Sequence, residues 1–180
     1  MAKFVFYSRS ANAKPGKGKH EYADGDYPTL VACGAWRKML SNFDTSGDFV
    51  WRGRTYRSVE HAFQGAKISL QDDIKGYLFC LESGSDLSMG DGSVAQKNRK
   101  LVKLTLDNIR KWGDISMNIM SDISRSKFDQ CAEWRHMLHC TGDAELWHLS
   151  LQRGKPSTLI RFKHLEDLRT GSPSVQSQPQ

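Results

Sequence analysis

Long apolar runs are missing from this 180-residue chain. None approaches the ~18 residues that a membrane-spanning helix requires. The segment from Met1 to Phe6 is too short and too polar-flanked for a secretory signal. The expectation is a soluble cytoplasmic protein, with the nucleus as the alternative compartment. Paired cysteines are missing as well. The four cysteines, at positions 33, 80, 131 and 140, form no CxxC and no paired Cys/His zinc spacing. That leaves free thiols in a reducing compartment. His136, His139 and Cys140 are near enough in sequence to ligate a metal in principle, but a helix surface with ordinary histidines accounts for them. No metal and no cofactor is expected. The phosphate-binding pattern GxxxxGK(S/T) is also absent. The basic, glycine-containing segment 11–27 therefore reads as a flexible solvated loop rather than a phosphate-contacting arm.

What is present suits one domain. A chain of 180 residues, 38% of them hydrophobic, buries a core without disulfide staples. The net charge of +6 favours polyanions such as nucleic acid, nucleotides or phosphorylated sugars. Lys97, Arg99, Lys100 and Lys103 form a basic run that reads equally as a nucleic-acid footprint or a solvated face.

Local patterns predict strands over 3–7 and 30–33, and a hairpin over 49–56 that turns near Gly53. Helices are predicted from Ser58 onward, over 73–81, from 106 to about 128, and over 130–140. The Ser, Gly and Asp of 82–92 predict a loop. Two strands, 144–151 and 158–164, precede a short terminal turn at 165–169. In the long helix, Ile115, Ile119, Met120 and Ile123 are expected inside, joined by Met117. The strands do not alternate with helices as βαβ units. The fold class is therefore α+β, a predominantly helical single domain with short strands and a hairpin. It spans residues 1–170, and a disordered Ser/Pro/Gln tail follows over 171–180.

The helix that begins after Ser58 concentrates the chemistry. Ser58 is suited to the N-cap. Val59, Phe63, Ala66 and Leu70 form an apolar stripe expected to face the core. Glu60, Gln64 and Lys67, at i, i+4 and i+7, share the adjacent face. Glu60 lies in the first turn, where the helix dipole favours its ionised form. Lys67 is close enough to the apolar stripe for partial burial to lower its pKa. On pattern alone, a polar ladder on a solvated helix face explains this row.

Two motifs add to that reading. Leu40-Ser41-Asn42-Phe43, followed by Ser58-Val59-Glu60-His61-Ala62-Phe63-Gln64 and Lys67, resembles the signature of the NADAR (YbiA-like) family. Ser126-Lys127-Phe128 and the run from Leu138 to Leu146 resemble the second half of that family, so the likeness covers about residues 3–169. The resemblance implies a YbiA-like fold and hydrolysis or transfer at an N-glycosidic carbon. The implied substrate is ADP-ribose on guanine in nucleic acid. The alternatives are a ribosylated intermediate of riboflavin biosynthesis, or a module that binds ADP-ribose or NAD without chemistry. Such cleavage needs proton transfer to the departing nitrogen and stabilisation of positive charge at C1. The resemblance points to Glu60 for this work and to Lys67 as an amine that forms a Schiff base with the opened sugar. Asn42 and Phe43, with His61 and Gln64, are expected to contact substrate, and Trp112 to stack on a ring.

The sequence also departs from the family pattern. Lys111 stands where an Asp is common before the Trp112 position, and Trp147 to Arg153 replaces an expected Asp and Trp-Gly pair. His148 and Arg153 there favour phosphates. The expected partner is thus ADP-ribose or ADP-ribosylated nucleic acid, bound by a monomer with no membrane association.

Overall fold

The computed structural model describes residues 1–151, 154 and 156–171. In chain order the elements are β1 (Lys3–Phe6), α1 (Pro28–Ala32), α2 (Trp36–Met39), β2 (Phe49–Trp51), β3 (Arg54–Tyr56), α3 (Val59–Ser69), α4 (Asp73–Tyr77), α5 (Gly92–Lys97), α6 (Leu106–Gln130), α7 (Ala132–Cys140), β4 (Glu145–Ser150), β5 (Thr158–Arg161) and α8 (Lys163–Arg169). Helices dominate and the strands are short, as the sequence predicts. Among the described residues no helix is long and apolar enough to cross a membrane. The chain divides into two compact units, 42–131 and the two flanking segments taken together.

In the unit 42–131, β2 and β3 pair antiparallel, with Phe49 opposite Tyr56. Arg52 and Gly53 both take positive φ, at 50° and 73°. A two-residue turn of that hand matches the twist of its strands, so the predicted hairpin forms where Gly53 places it. Trp51 and Tyr56 are buried. The hairpin delivers the chain to Ser58, which is extended and accepts a hydrogen bond from the His61 amide, 3.3 Å away. At its far end, α3 receives the amide nitrogen of Asn108 on the Leu70 carbonyl at 2.8 Å. Both ends of the helix thus have partners for groups the helix itself leaves unpaired.

Of the predicted apolar stripe, only Val59 is fully buried. Phe63, Ala66 and Leu70 are half-buried, whereas Ala62 and Ile68 are fully buried. Small residues explain the change, because they let another helix come close. A Cβ on Gly76 of α4 would stand 2.8 Å from both the Gly65 carbonyl oxygen and the Ser69 amide nitrogen. These are backbone atoms that cannot rotate aside. Gly76→Ala is therefore expected to destabilise the fold by about 1–3 kcal/mol, as overpacking does. A lower urea midpoint with an unchanged slope checks this. Ile68 continues into a cluster with Phe79 and Ala95, covered by Leu87 and Val102. In α6, Ile119 and Ile123 are buried and Ile115 and Met120 half-buried, but Met117 is 65% exposed and does not join them. The predicted loop 82–92 holds short helical turns at Leu81–Ser83 and Asp86–Ser88.

In the other unit, β1 runs parallel to β4, which pairs antiparallel with β5. Phe4, Phe6, Leu146 and Leu165 are buried on this sheet, with Phe4 meeting Trp36 edge-on at 5.4 Å. The strand predicted over 30–33 is instead α1. Pro28, in the first turn, fixes a helical φ and loses no needed N–H there. Segment 11–27 is not a loosely solvated loop. The Glu21 carboxylate accepts from the amides of Val5, Gly16 and Gly18 at 2.9–3.1 Å and pairs with buried Arg37 at 2.6 Å. The predicted tail, 171–180, lies outside the described residues from 172 onward.

Candidate active site

Two motif pieces meet at the start of α3. The Glu60 amide donates to the Asn42 carbonyl at 2.9 Å, so the segment after Ser41 supplies a second cap beside Ser58. Glu60 is thereby held by its backbone as well as by its helix. Phe43 follows, with its carbonyl 3.5 Å from the Gly92 amide. A Cβ on Gly92 would come within 2.8 Å of the Phe43 ring, so glycine at the start of α5 makes room for that ring. The Asn42 amide nitrogen faces the Met120 sulfur at 3.5 Å, a weak acceptor.

Glu60 is 7% exposed, and its main side-chain contact is the Gln64 amide nitrogen, 2.8 Å from Oε1. Burial pushes its pKa up, opposed by the Gln64 hydrogen bond and the charges of Arg99 and Lys67. The predicted preference for the ionised form is reversed, because loss of water around the carboxyl outweighs the helix dipole. Lys67, two turns on, is half-buried. Burial pushes its pKa down first, Arg99 and Lys100 add to that, and the Glu60 carboxylate opposes it. Acid and amine therefore lie within each other's electrostatic reach, each shifted toward its uncharged form. Gln64 Oε1 is buried with no hydrogen-bond partner. A buried acceptor left unpaired costs free energy unless a ligand or water donates to it, so the row has an unmet demand beside the carboxyl.

His61 is fully buried, with Nδ1 2.7 Å from the Ser58 hydroxyl. Burial lowers its pKa. The structure places it as a lock on the helix cap. Trp112 packs against Phe63, with ring centroids 4.8 Å apart. It also lines a cavity of about 340 Å³ with Trp51, Arg54, Ala66 and Leu70. Glu60, Gln64 and Lys67 do not line that cavity. By helical rotation Phe63 falls between their row and the Ala66–Leu70 side, so the Phe63–Trp112 pair separates the two.

The chain is similar in fold to an NMR structure of the Escherichia coli protein YbiA. It is 18% identical in sequence, covering 95% of this chain and 86% of that one, with a TM-score of 0.52. The chain has a YbiA-like fold. No protein-family model and no curated protein matches the sequence.

Of the predicted site residues, Asn42, Phe43, Glu60, His61, Gln64, Lys67 and Trp112 all belong to the unit 42–131. His148 belongs to the other unit, and Arg153 lies outside the described residues. His148 stacks on Phe162 at 5.1 Å and meets Phe6 edge-on. Burial lowers its pKa to about 4, and that of His164 likewise. At neutral pH His148 carries no charge with which to draw a phosphate. An unfolded chain takes up these protons at the ordinary value of 6.5, before the folded one does. The contribution is thus complete above pH 6.5 and lost as the pH falls toward 4. The urea midpoint is expected to fall over that range, less steeply in His148→Phe. Arg99, whose charge acts on both Glu60 and Lys67, was legible only as one member of the basic run, and no sequence signal singles it out there.

Proposed function

We propose that this chain is a member of the NADAR family and an N-glycosidic hydrolase that releases ADP-ribose from ADP-ribosylated guanine in nucleic acid. The observation that carries this reading is the row on α3, with a buried acid whose pKa is raised and an amine whose pKa is lowered within reach of its charge. The YbiA-like fold supports it. So does the hydrogen bond from Glu60 to Asn42, which joins the two motifs on which the family resemblance rests.

Protonated Glu60 gives its proton to the ring oxygen of the ribose, and the C1–O bond opens to an iminium on the base nitrogen. The neutral amine of Lys67 adds to C1. A proton passes from that amine, by way of the Glu60 carboxylate, to the base nitrogen, and the C1–N bond to guanine breaks. Water then adds to the lysine imine and Lys67 leaves, so the aldehyde recloses as ADP-ribose. The sum is conjugate plus water giving guanine and ADP-ribose. Gln64 orients the carboxyl and offers its unpaired oxygen to a sugar hydroxyl. Arg99 and Lys100 supply the positive field that a diphosphate requires.

Incubation with an ADP-ribosylated guanine oligonucleotide is expected to yield unmodified oligonucleotide and free ADP-ribose, resolved by chromatography and mass. Tight binding without release would instead identify a reader of ADP-ribose. Preferential turnover of a ribosylated riboflavin intermediate would move the activity to the other substrate class.

A further inference from the structure

Three groups outside the α3 row converge in the unit formed by the flanking segments. Cys33 ends α1, while His136 and Cys140 stand one turn apart on α7. Their ligand atoms all lie within 4.8 Å of one another, and Cys140 Sγ is 3.5 Å from His136 Nε2. Sequence spacing suggested His139 beside His136 and Cys140, with no metal expected; folding instead brings Cys33, at the end of α1, to His136 and Cys140.

We infer that Cys33, His136 and Cys140 form a zinc site with an open fourth position. Two thiolates and an imidazole are a donor set zinc takes at a tetrahedral centre. With Zn–S bonds of about 2.3 Å and Zn–N bonds of about 2.0–2.1 Å, ligand atoms on such an ion stand roughly 3.5–3.8 Å apart. The Cys140–His136 pair already has that spacing, and Cys33 needs to move by about an ångström. The Cys33 thiol is held meanwhile by the Thr29 carbonyl at 3.3 Å, a weak bond that is easily exchanged. His136 is exposed and both cysteines are half-buried, so an ion reaches the site from solvent.

The open position has a natural outlet. A cavity of about 340 Å³ is lined by Cys33 and His136 together with Glu133, Met39 and Met137. Glu133 precedes His136 by three residues on α7 and shares its face. Its carboxylate lines the cavity onto which the open position gives. Binding converts two thiols to thiolates, so each zinc releases two protons to solvent while the imidazole binds in its neutral form. This site is independent of the α3 chemistry.

The test uses the full chain, reduced and metal-free, titrated with Co²⁺. One equivalent is expected to give a thiolate-to-cobalt band in the near ultraviolet and the visible bands of a tetrahedral ion, both bleached by Zn²⁺. Cys33→Ser and Cys140→Ser should each weaken cobalt binding and cut the near-ultraviolet band by about half or more, and His136→Ala should weaken binding, while Cys80→Ser and Cys131→Ser retain the full band. Far-ultraviolet circular dichroism reports whether each variant folds. Alkylation of the unmutated chain needs no variant: Zn²⁺ should protect Cys33 and Cys140, read by peptide mass, and leave Cys131 reactive. Absence of the cobalt bands, an undiminished near-ultraviolet band in Cys33→Ser, or equal alkylation with and without zinc overturns the site.

Discussion

Glu60→Gln is expected to lower turnover of an ADP-ribosyl-guanine substrate by about 10²–10⁴-fold, the usual contribution of a positioned general acid. The substitution keeps the side chain's size, and the helix caps do not depend on it, because Asn42 and Ser58 bind backbone amides. The folded state should be retained and KM should change little, so the loss falls on kcat. Lys67→Ala should abolish turnover by the covalent route, and Lys67→Arg should not rescue it, since a guanidinium stays protonated. Borohydride added during turnover should fix a sugar-nucleotide adduct on Lys67 of the unmutated enzyme. The pH profile adds an independent check. The proposed reaction needs Glu60 protonated and Lys67 neutral together, and the fraction holding both declines below the lower pKa and above the upper one. Burial moves these limits inward from the ordinary 4.5 and 10.5, so a narrowed bell is expected for kcat/KM. Undiminished turnover in Glu60→Gln removes the acid from the mechanism, and a missing adduct removes the covalent step.

The signals behind the hairpin and its helix were local, and that is why they could be read. Gly53 allows the turn, Ser58 caps the helix, and both work through atoms a few residues away. The buried face of α3 was misread because hydrophobic spacing weights Phe63 and Leu70, while close packing is marked by the glycines at 65 and 76, which carry no apolar side chain at all. The row Glu60, Gln64, Lys67 was legible as a row. Its electrostatics were not, because the helix dipole is a property of the helix and desolvation is a property of everything packed around it. Segment 11–27 was misjudged for a related reason. A single carboxylate, Glu21, turns a basic glycine-containing loop into a closed structure, and its partner Arg37 is 16 residues away. The Cys33 cluster lay beyond any spacing rule for the same cause.

Lys127→Met is expected to destabilise the protein by about 3–5 kcal/mol, the range for breaking a buried ion pair by removing one partner. Lys127 is 1% exposed, and its ammonium lies 2.8 Å from an Asp44 carboxylate that is itself 7% exposed. Burial alone would drive the amine toward its neutral form, and Asp44 opposes that. Without the lysine, Asp44 keeps, among the described residues, the Ser46 hydroxyl at 2.8 Å and a longer bond from the Ser46 amide at 3.3 Å, so a carboxylate remains in a site with little water. Replacing both members, as Lys127→Met with Asp44→Leu, should recover most of the loss, because the desolvation cost disappears with the charges. Urea unfolding of the two single variants and the double one measures the coupling directly, and additive losses would show that the pair does not act as a pair. The same cycle reports on catalysis. Asp44 lies two residues after Asn42, whose carbonyl receives the Glu60 amide, so the ion pair fixes the strip of chain on which Glu60, the proposed general acid, is hung. Activity measured well below the melting temperature should therefore fall in Lys127→Met even where the chain remains folded, and return with stability only if the double variant restores the Asn42 carbonyl to its place.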